Sequence, residues 1–222
     1  MQTVLIAGAS GVVGRRALDQ LLASANVDRV IAVGRRALPM QHPKLLSQTA
    51  DLNDQSDLVA KIPEQVDVAI CCLGTTIKAA GSQEAFRRVD HDAVLTFAEA
   101  ALAKGAQRFL LVSSIGANAS SGTFYLRIKG ETEADLAKLG FANLTILRPS
   151  FIDPQGERGD NRWGERLVLP AAQFVFSLVG KHGRYAPIKA ETVGRALVTL
   201  AFDETSERVR ILEGKKLFAA GE

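Results

Sequence analysis

Two pairs of polar residues in the second half of the chain have the types and spacing for proton chemistry. Tyr125 and Lys129 are four residues apart, so on a helix they share one face. An ammonium close to a phenol stabilises the phenolate and brings proton exchange within range at neutral pH. Ser113 and Ser114 end an apolar run before them, and a serine hydroxyl there could hold the oxygen of a substrate carbonyl. We expect these four residues to form a catalytic group, although the Tyr–Lys spacing alone is also typical of an exposed helix face.

The beginning of the chain predicts the cofactor that such chemistry requires. Three glycines, Gly8, Gly11 and Gly14, follow the apolar run 3–7 and precede a stretch with apolar residues at helical spacing. Glycines at a junction of strand and helix permit a tight turn and let a pyrophosphate approach the N-terminus of the helix. The alternative is a plain strand, turn and helix. We expect the whole turn to contact a dinucleotide: Gly8, Ala9, Ser10, Gly11, Val12, Val13 and Gly14.

The end of the second apolar run indicates which dinucleotide is bound. Proteins specific for NAD place an acidic residue about 20 residues past the glycine turn, where it binds the ribose 2′-hydroxyl. The corresponding stretch here has no acidic residue and carries Arg35 and Arg36 instead. A guanidinium suits a phosphate, so the sequence predicts NADP(H), with these arginines at its 2′-phosphate. A basic turn exposed to solvent is the alternative.

The apolar run 66–73 predicts a central strand that ends at the same edge of the sheet. Leu73, Gly74 and Thr75 stand at its carboxyl end. A glycine there lets a cofactor pass close to the backbone, near the point where the strand order reverses. We expect these three residues to contact the cofactor, with a plain turn as the alternative.

Composition and charge argue against several other classes of function. The 222 residues suit one domain, and 47% hydrophobic with 23% charged residues are ordinary for a globular protein. The net charge of +3 and the scattered basic residues give no support for nucleic-acid binding, and no apolar stretch is long enough to span a membrane.

Cys71 and Cys72 lack metal-ligand spacing and are expected to fill a strand in a reducing compartment. With no room for a signal peptide before the first strand, a cytoplasmic location is expected.

Taken together, these motifs are typical of one protein family. The chain is similar to the atypical short-chain dehydrogenase/reductases, and within them to the Tat-interacting oxidoreductase-like tumour suppressor group and its bacterial relatives. The resemblance rests on residues 8–11, 34–36, 71–76, 89–90, 113–117, 125–131 and 147–149. It implies an α/β fold of the Rossmann type with a doubly wound parallel sheet and a small C-terminal substrate-binding appendage. It also implies NADPH binding and a Ser/Tyr/Lys triad, but no particular substrate.

The same resemblance suggests further cofactor contacts. It places Asp51 and Leu52 near the adenine, although Asp51 could equally be the N-cap of the helix that follows. It places the backbone after Pro149 against the nicotinamide, so Pro149, Ser150 and Phe151 are expected near the ring.

The remaining helices and loops bear on assembly and on the substrate pocket. Helices predicted over 83–104 and 122–139 occupy positions where relatives of this fold dimerise, so a monomer and a homodimer are equal expectations. His91, within the first helix, is expected at the surface. A polar loop over 154–162 and an apolar helix over 167–179 are expected to belong to a substrate-covering segment at about 150–188, unless that helix completes the core. Residues 1–222 are otherwise expected to be a single NAD(P)-binding domain.

The leading hypothesis is an NADPH-dependent carbonyl reductase that acts on a small substrate. Tyr125 would be the general acid, Lys129 would stabilise the phenolate and bind the nicotinamide ribose, and Ser114, favoured over Ser113 by the resemblance, would orient the carbonyl. One alternative is a non-enzymatic NADPH-binding redox sensor that acts through protein partners. Another is an epimerase or dehydratase of nucleotide-sugars, for which the short stretch after Pro149 leaves little room.

Overall fold

The computed structural model describes residues 1–153 and 183–222, and the element bounds below refer to them. The strands are Gln2–Ala7 (β1), Val27–Gly34 (β2), Leu45–Thr49 (β3), Val68–Cys71 (β4), Arg108–Val112 (β5), Asn143–Arg148 (β6), Ile152–Asp153 (β7), Ile188–Lys189 (β8) and Val209–Glu213 (β9). The α-helices are Val12–Ala23 (α1), Gln55–Lys61 (α2), Ile77–Ala80 (α3), Gln83–Arg87 (α4), Ala93–Ala103 (α5), Phe124–Leu136 (α6), Ala190–Phe202 (α7) and Lys215–Ala220 (α8). A π-helical turn, Arg88–Asp92, joins α4 to α5.

The main sheet has the strand order β3-β2-β1-β4-β5-β6-β9, and every neighbouring pair is parallel. The chain leaves β1 towards one edge through β2 and β3, and then returns to the other side of β1 with β4. This reversal puts the topological switch point between β1 and β4, where ligands bind outside the carboxyl ends of the strands in such sheets. The predicted Rossmann-type, doubly wound parallel sheet is therefore confirmed.

Helices cover both faces of the sheet, and β1 is buried on both sides. Val4 and Ile6 pack in the cluster that includes the apolar faces of α1 and α7. Leu5 and Ala7 pack in the opposite cluster, which includes the apolar face of α5. A strand covered on both faces needs no alternation of apolar and polar residues, which is why every residue of the run 3–7 except Thr3 is apolar.

The helix predicted over 83–104 differs from the structure in its middle. It consists of α4, the π-helical turn Arg88–Asp92 and α5. A π-helical turn accommodates an extra residue, which the 3.6-residue period of the sequence does not reveal. The expectation that His91 lies at the surface is wrong, because the turn buries its ring. Its Nδ1 lies 2.7 Å from Asp92 Oδ1 and its Nε2 lies 3.1 Å from Asp135 Oδ2 on α6.

Other parts of the chain also differ from the sequence-based expectations. The short helix α3 was not expected, and its first turn is capped by the Thr76 hydroxyl. The C-terminal helix α8 was not expected. The loop over 154–162 and the helix over 167–179 lie outside the described residues. Within 1–153 and 183–222, no helix has both the length and the apolar character to cross a bilayer.

Candidate active site

A cleft with a volume of about 580 Å³ lies at the carboxyl ends of β1, β2 and β4. It coincides with the topological switch point. The predicted cofactor residues that line it are Gly8, Ala9, Ser10, Gly11, Arg35, Arg36, Leu52, Leu73 and Gly74. The lining also includes Asn53, Arg88 and Val89, which the sequence reasoning did not propose as cofactor contacts. The predicted residues Val12, Val13, Gly14, Asp51, Thr75 and Pro149, Ser150, Phe151 do not line this cleft, nor do Tyr125 and Lys129.

The glycine turn has a shape that side chains would block. Gly8 has a φ of +80°, and a Cβ on it would lie 2.5 Å from the carbonyl oxygen of Cys72. A Cβ on Gly14 would lie 2.1 Å from the carbonyl oxygen of Gly8, so the start of α1 packs directly on the turn. Gly11 is the N-cap of α1, and no side chain caps this helix end. The turn therefore offers a bare backbone and the N–H groups of the first helical turn, which fit the pyrophosphate of a dinucleotide.

Arginines line the part of the cleft where β2 ends. Arg35 and Arg36 are exposed and follow β2 directly. Arg88, from the π-helical turn, lines the same cleft and is 3.3 Å from Glu84 through Nη2 and Oε1. Among the described residues that line the cleft there is no Asp or Glu. The cleft wall is therefore basic and suits an anionic ligand.

The structure excludes Asp51 as the N-cap of the helix that follows it. Helix α2 is capped by Asp54, whose carboxylate accepts N–H hydrogen bonds from Ser56 and Asp57. Asp51 instead accepts the N–H of Asn53 at 2.9 Å. Asp51 is thus not the N-cap, and its contact with the adenine stays a prediction.

Lys129 is paired with an acidic residue that the sequence reasoning did not propose for the site. Its Nζ lies 2.8 Å from Asp90 Oδ1, and both side chains are buried. Asp90 Oδ2 accepts the backbone N–H of Thr75 at 2.8 Å. Gly74, which lines the cleft, lies next to this pair, because a Cβ on it would come within 3.5 Å of Asp90 Oδ1 and 3.8 Å of Lys129 Nζ. The Asp90–Lys129 pair thus lies directly behind the cleft wall.

Charge and burial act in opposite directions on these two groups. Burial alone would lower the pKa of Lys129, but Asp90, Tyr125 and Cys71 together outweigh this effect and raise that pKa above the ordinary lysine value, with Asp90 contributing most. Burial raises the pKa of the Asp90 carboxyl, against the opposing effects of the Lys129 ammonium and the Thr75 N–H. Burial also raises the pKa of the Cys71 thiol to about 12, so this cysteine is a neutral part of the core.

Tyr125 lies on α6 one turn before Lys129, partly exposed. Its ring packs on the buried Phe86, with 5.5 Å between the ring centroids and an interplanar angle of 50°. Phe86 also contacts Phe124 at 5.8 Å. These aromatic contacts restrict the orientation of the phenol ring.

The two serines at the end of β5 have different surroundings. Ser113 is buried and donates its hydroxyl to Glu133 Oε1 at 2.5 Å. Ser114 is partly exposed, and its Oγ lies 3.4 Å from the carbonyl oxygen of Ile115. The loop after these serines packs closely on α6, because a Cβ on Gly130 would lie 2.2 Å from the backbone of Asn118. This close packing holds the Tyr–Lys helix beside the serine loop.

The segment that follows β6 lies beside the serine loop. The N–H of Ile115 donates to the carbonyl oxygen of Pro149 at 2.9 Å. Ser150 donates its hydroxyl to the carbonyl oxygen of Ala186. Phe151 is exposed, with 46% of its surface accessible. These residues are close to the serines and outside the cleft at β1, β2 and β4, and their contact with a nicotinamide ring stays a prediction.

The chain is similar to known proteins in both sequence and fold. Residues 8–169 match the family model described as NAD(P)H-binding. Protein HTATIP2 of Rattus norvegicus is 35% identical over 222 residues, which cover 99% of this chain and 89% of the rat protein. A protein of Kluyveromyces lactis named FMP52, mitochondrial, is 33% identical over 98% of both chains. An oxidoreductase of the short-chain dehydrogenase/reductase family from Burkholderia thailandensis has a similar fold, with a TM-score of 0.71, 22% identity and coverage of 98% of this chain and 93% of that one.

These relatives contradict the expected cytoplasmic location. Proteins from several yeasts that resemble this chain over nearly its whole length carry the name FMP52, mitochondrial. The expectation rested on the early start of β1 and on the reduced state expected for Cys71 and Cys72. Neither feature distinguishes one reducing compartment from another. The expectation of a cytoplasmic location is therefore not retained.

Proposed function

We propose that this chain, which belongs to the NAD(P)H-binding family and to the group of proteins related to HTATIP2, is an NADP(H)-dependent oxidoreductase of the carbonyl reductase type. The family and its oxidoreductase-like fold give the general class of chemistry. The preference for NADP(H) and the reduction of a carbonyl are the parts that we add. The observation that carries the proposal is the buried ammonium of Lys129, one helical turn from Tyr125 and directly behind the wall of the dinucleotide cleft.

The charge of the cleft supports NADP(H) over NAD(H). Arg35, Arg36 and Arg88 line it, and its described lining contains no carboxylate to bind a ribose 2′-hydroxyl. A ribose 2′-phosphate needs cationic hydrogen-bond donors, which guanidinium groups supply in a planar fork. The three arginines therefore favour the phosphorylated cofactor.

The side chains near Lys129 can carry out the proton transfer of a carbonyl reduction. NADPH, when bound, supplies the hydride that reduces the carbonyl carbon. Tyr125 donates its phenolic proton to the carbonyl oxygen, and the Lys129 ammonium stabilises the phenolate that remains. Ser114 donates a hydrogen bond to the same oxygen. Ser113 is less suited to this task because its hydroxyl hydrogen is already given to Glu133.

The proposal can be tested with purified protein and a panel of aldehydes, ketones and quinones. NADPH oxidation is followed for the wild type and for Tyr125→Phe, and NADPH fluorescence reports cofactor binding in the same samples. We expect turnover of at least one substrate class, at least about 100-fold slower in the variant, with NADPH affinity nearly unchanged. NADPH binding without turnover of any class would instead favour a non-catalytic NADPH-binding protein.

A further inference from the structure

We propose that Asp90 is a positioning residue of the active site, which holds the Lys129 side chain in place as an ammonium and ties it to the loop that faces the cofactor. The inference rests on the proposed function, because Lys129 matters only if Tyr125 exchanges a proton. It adds an acidic residue to the expected Ser/Tyr/Lys group. Asp90 acts through Lys129, and no contact of Asp90 with substrate is required.

The contacts of the Asp90 carboxylate connect two structural elements. One oxygen, Oδ1, lies 2.8 Å from Lys129 Nζ on α6. The other oxygen, Oδ2, accepts the N–H of Thr75, in the loop after β4. Asp90 has no solvent-accessible surface, and Lys129 is 5% exposed. A carboxylate that is fully removed from water and placed between these two donors fixes the distance between them.

The backbone of Asp90 is also held by α6. Asp90 lies in the π-helical turn, where the hydrogen-bond pattern of the helix changes. The Thr132 hydroxyl shares its one proton between the carbonyl oxygens of Asp90, at 2.9 Å, and Ile128, at 2.8 Å. Both the main chain and the side chain of Asp90 therefore contact the helix that carries Tyr125 and Lys129. A regular helix would not present this residue in the same way, and π-helical turns often occur at functional sites.

The charge state of Lys129 follows from the groups that face it. These are Asp90 from the π-helical turn, Tyr125 from α6 and Cys71 from β4. Burial disfavours the ammonium, and Asp90 supplies the largest effect in its favour. Without the carboxylate, burial would dominate and the pKa of Lys129 would fall. Lys129 would then lose its proton, and with it the ability to stabilise a phenolate, at a lower pH.

An NMR titration measures this effect without any assay of activity. Protein labelled with ¹³C at lysine Cε is titrated, and the Lys129 signal is identified by its absence in Lys129→Met. In the wild type we expect this signal to report an ammonium up to at least the ordinary lysine pKa of about 10.4. In Asp90→Asn it should titrate lower by about one pH unit or more. Asp92→Asn, in the same turn but directed at His91, is the matched control and should leave the Lys129 titration unchanged.

Kinetics then show whether Asp90 acts through Lys129. In Asp90→Asn we expect the alkaline limb of the pH profile of kcat to move to lower pH, in the same direction as the NMR titration. Lys129→Met and Asp90→Asn/Lys129→Met should have the same kcat, because Asp90 has no effect once the ammonium is gone. The double variant also leaves no buried charge without its partner, so it serves if Asp90→Asn fails to fold.

The outcomes separate this inference from the proposed function. A wild-type Lys129 that titrates below the ordinary lysine value, or an Asp90→Asn protein with an unchanged Lys129 titration, would overturn the role of Asp90. A double variant much slower than Lys129→Met would do the same. Absence of reductase activity in the wild type would overturn the proposed function instead, and the NMR titration would still give its result.

Discussion

Ser113 donates its hydroxyl to Glu133, with 2.5 Å between Oγ and Oε1, and both side chains are buried. The same carboxylate binds Arg148 through Nε at 3.0 Å and Nη2 at 2.5 Å. Glu133 thus connects the end of β5 with the end of β6 from its position on α6. Ser113 is part of this structural connection, whereas Ser114 keeps a partly exposed hydroxyl at the carboxyl edge of the sheet.

The two serines should therefore respond differently to replacement by alanine. Ser114→Ala removes a hydrogen bond to the substrate oxygen, so we expect kcat to fall by about 100-fold with little change in the free energy of unfolding. Ser113→Ala removes a donor from a buried carboxylate, so we expect a loss of about 1–3 kcal/mol of stability. NADPH oxidation and urea unfolding of both variants measure these effects. A larger fall in kcat for Ser113→Ala than for Ser114→Ala would assign the catalytic role to Ser113.

The arginines at the cleft should control the choice between the two nicotinamide cofactors. We expect Arg35→Ala/Arg36→Ala to weaken NADPH binding by about 10- to 100-fold, because charge-assisted hydrogen bonds to the 2′-phosphate are lost. NADH binding should change little, since NADH lacks that phosphate. Fluorescence titrations with both cofactors measure the two affinities. Arg29→Ala is the control, because Arg29 lies on β2 away from the cleft and pairs with Glu64 at 3.0 Å. Equal losses for NADPH and NADH would contradict the 2′-phosphate assignment.

Arg88 should contribute to the same preference. Arg88 lines the cleft from the π-helical turn, and its contact with Glu84 is exposed and therefore weak. We expect Arg88→Ala to reduce the ratio of NADPH to NADH affinity by about 3- to 10-fold, a smaller effect than that of the double variant. Glu84→Gln, which removes the competing carboxylate, should not lower this ratio. A change of the same size in both affinities would place Arg88 elsewhere on the cofactor.

The sheet and the cleft at its switch point could be predicted from the sequence, because short runs of neighbouring residues determine them. The apolar run 3–7 and the glycines after it have a direct physical meaning, since a strand covered on both faces and a turn without side chains permit few other residues. The central strand predicted within the apolar run 66–73 is present as β4, because such a run is typical of a strand that is buried on both faces.

The Asp90–Lys129 pair could not be predicted from the sequence in the same way. The two residues are far apart in the sequence, and an acidic residue beside His91 and Asp92 reads as part of an exposed helix face. The π-helical turn that buries Asp90 depends on packing against α6, including the Thr132 hydroxyl on the Asp90 carbonyl oxygen. Likewise, the engagement of Ser113 depends on Glu133, which lies twenty residues further on. Contacts between distant segments leave little trace in local spacing.

Acid should destabilise the protein partly through Asp135. The Lys138 ammonium, followed by His91, lowers the pKa of the Asp135 carboxyl below its ordinary value of 3.8. A carboxyl with a lowered folded-state pKa contributes stability that is fully present above the unfolded value and is lost as the pH falls through the folded value. We expect Asp135→Asn to lose less stability than the wild type below about pH 4, by less than about 1 kcal/mol because the pair is exposed to solvent. Urea unfolding at several pH values measures this, with Asp19→Asn on the exposed side of α1 as the control. An unchanged pH dependence in Asp135→Asn would exclude the contribution.

The glycine turn gives the most direct test of where a dinucleotide binds. A Cβ on Gly14 would lie 2.1 Å from the carbonyl oxygen of Gly8, so Gly14→Ala must displace α1 or the turn. We expect a loss of about 1–3 kcal/mol of stability from this overpacking, together with a fall in NADPH affinity of at least about 10-fold, because displaced backbone N–H groups no longer meet the pyrophosphate. Gly122→Ala is the matched control, since a Cβ there meets no atom within 4 Å. Urea unfolding and NADPH fluorescence separate the two effects. Gly14→Ala could instead lose stability and still bind NADPH as tightly as Gly122→Ala does. The pyrophosphate would then have to bind away from this turn, because the turn cannot keep its backbone in place around the added methyl group.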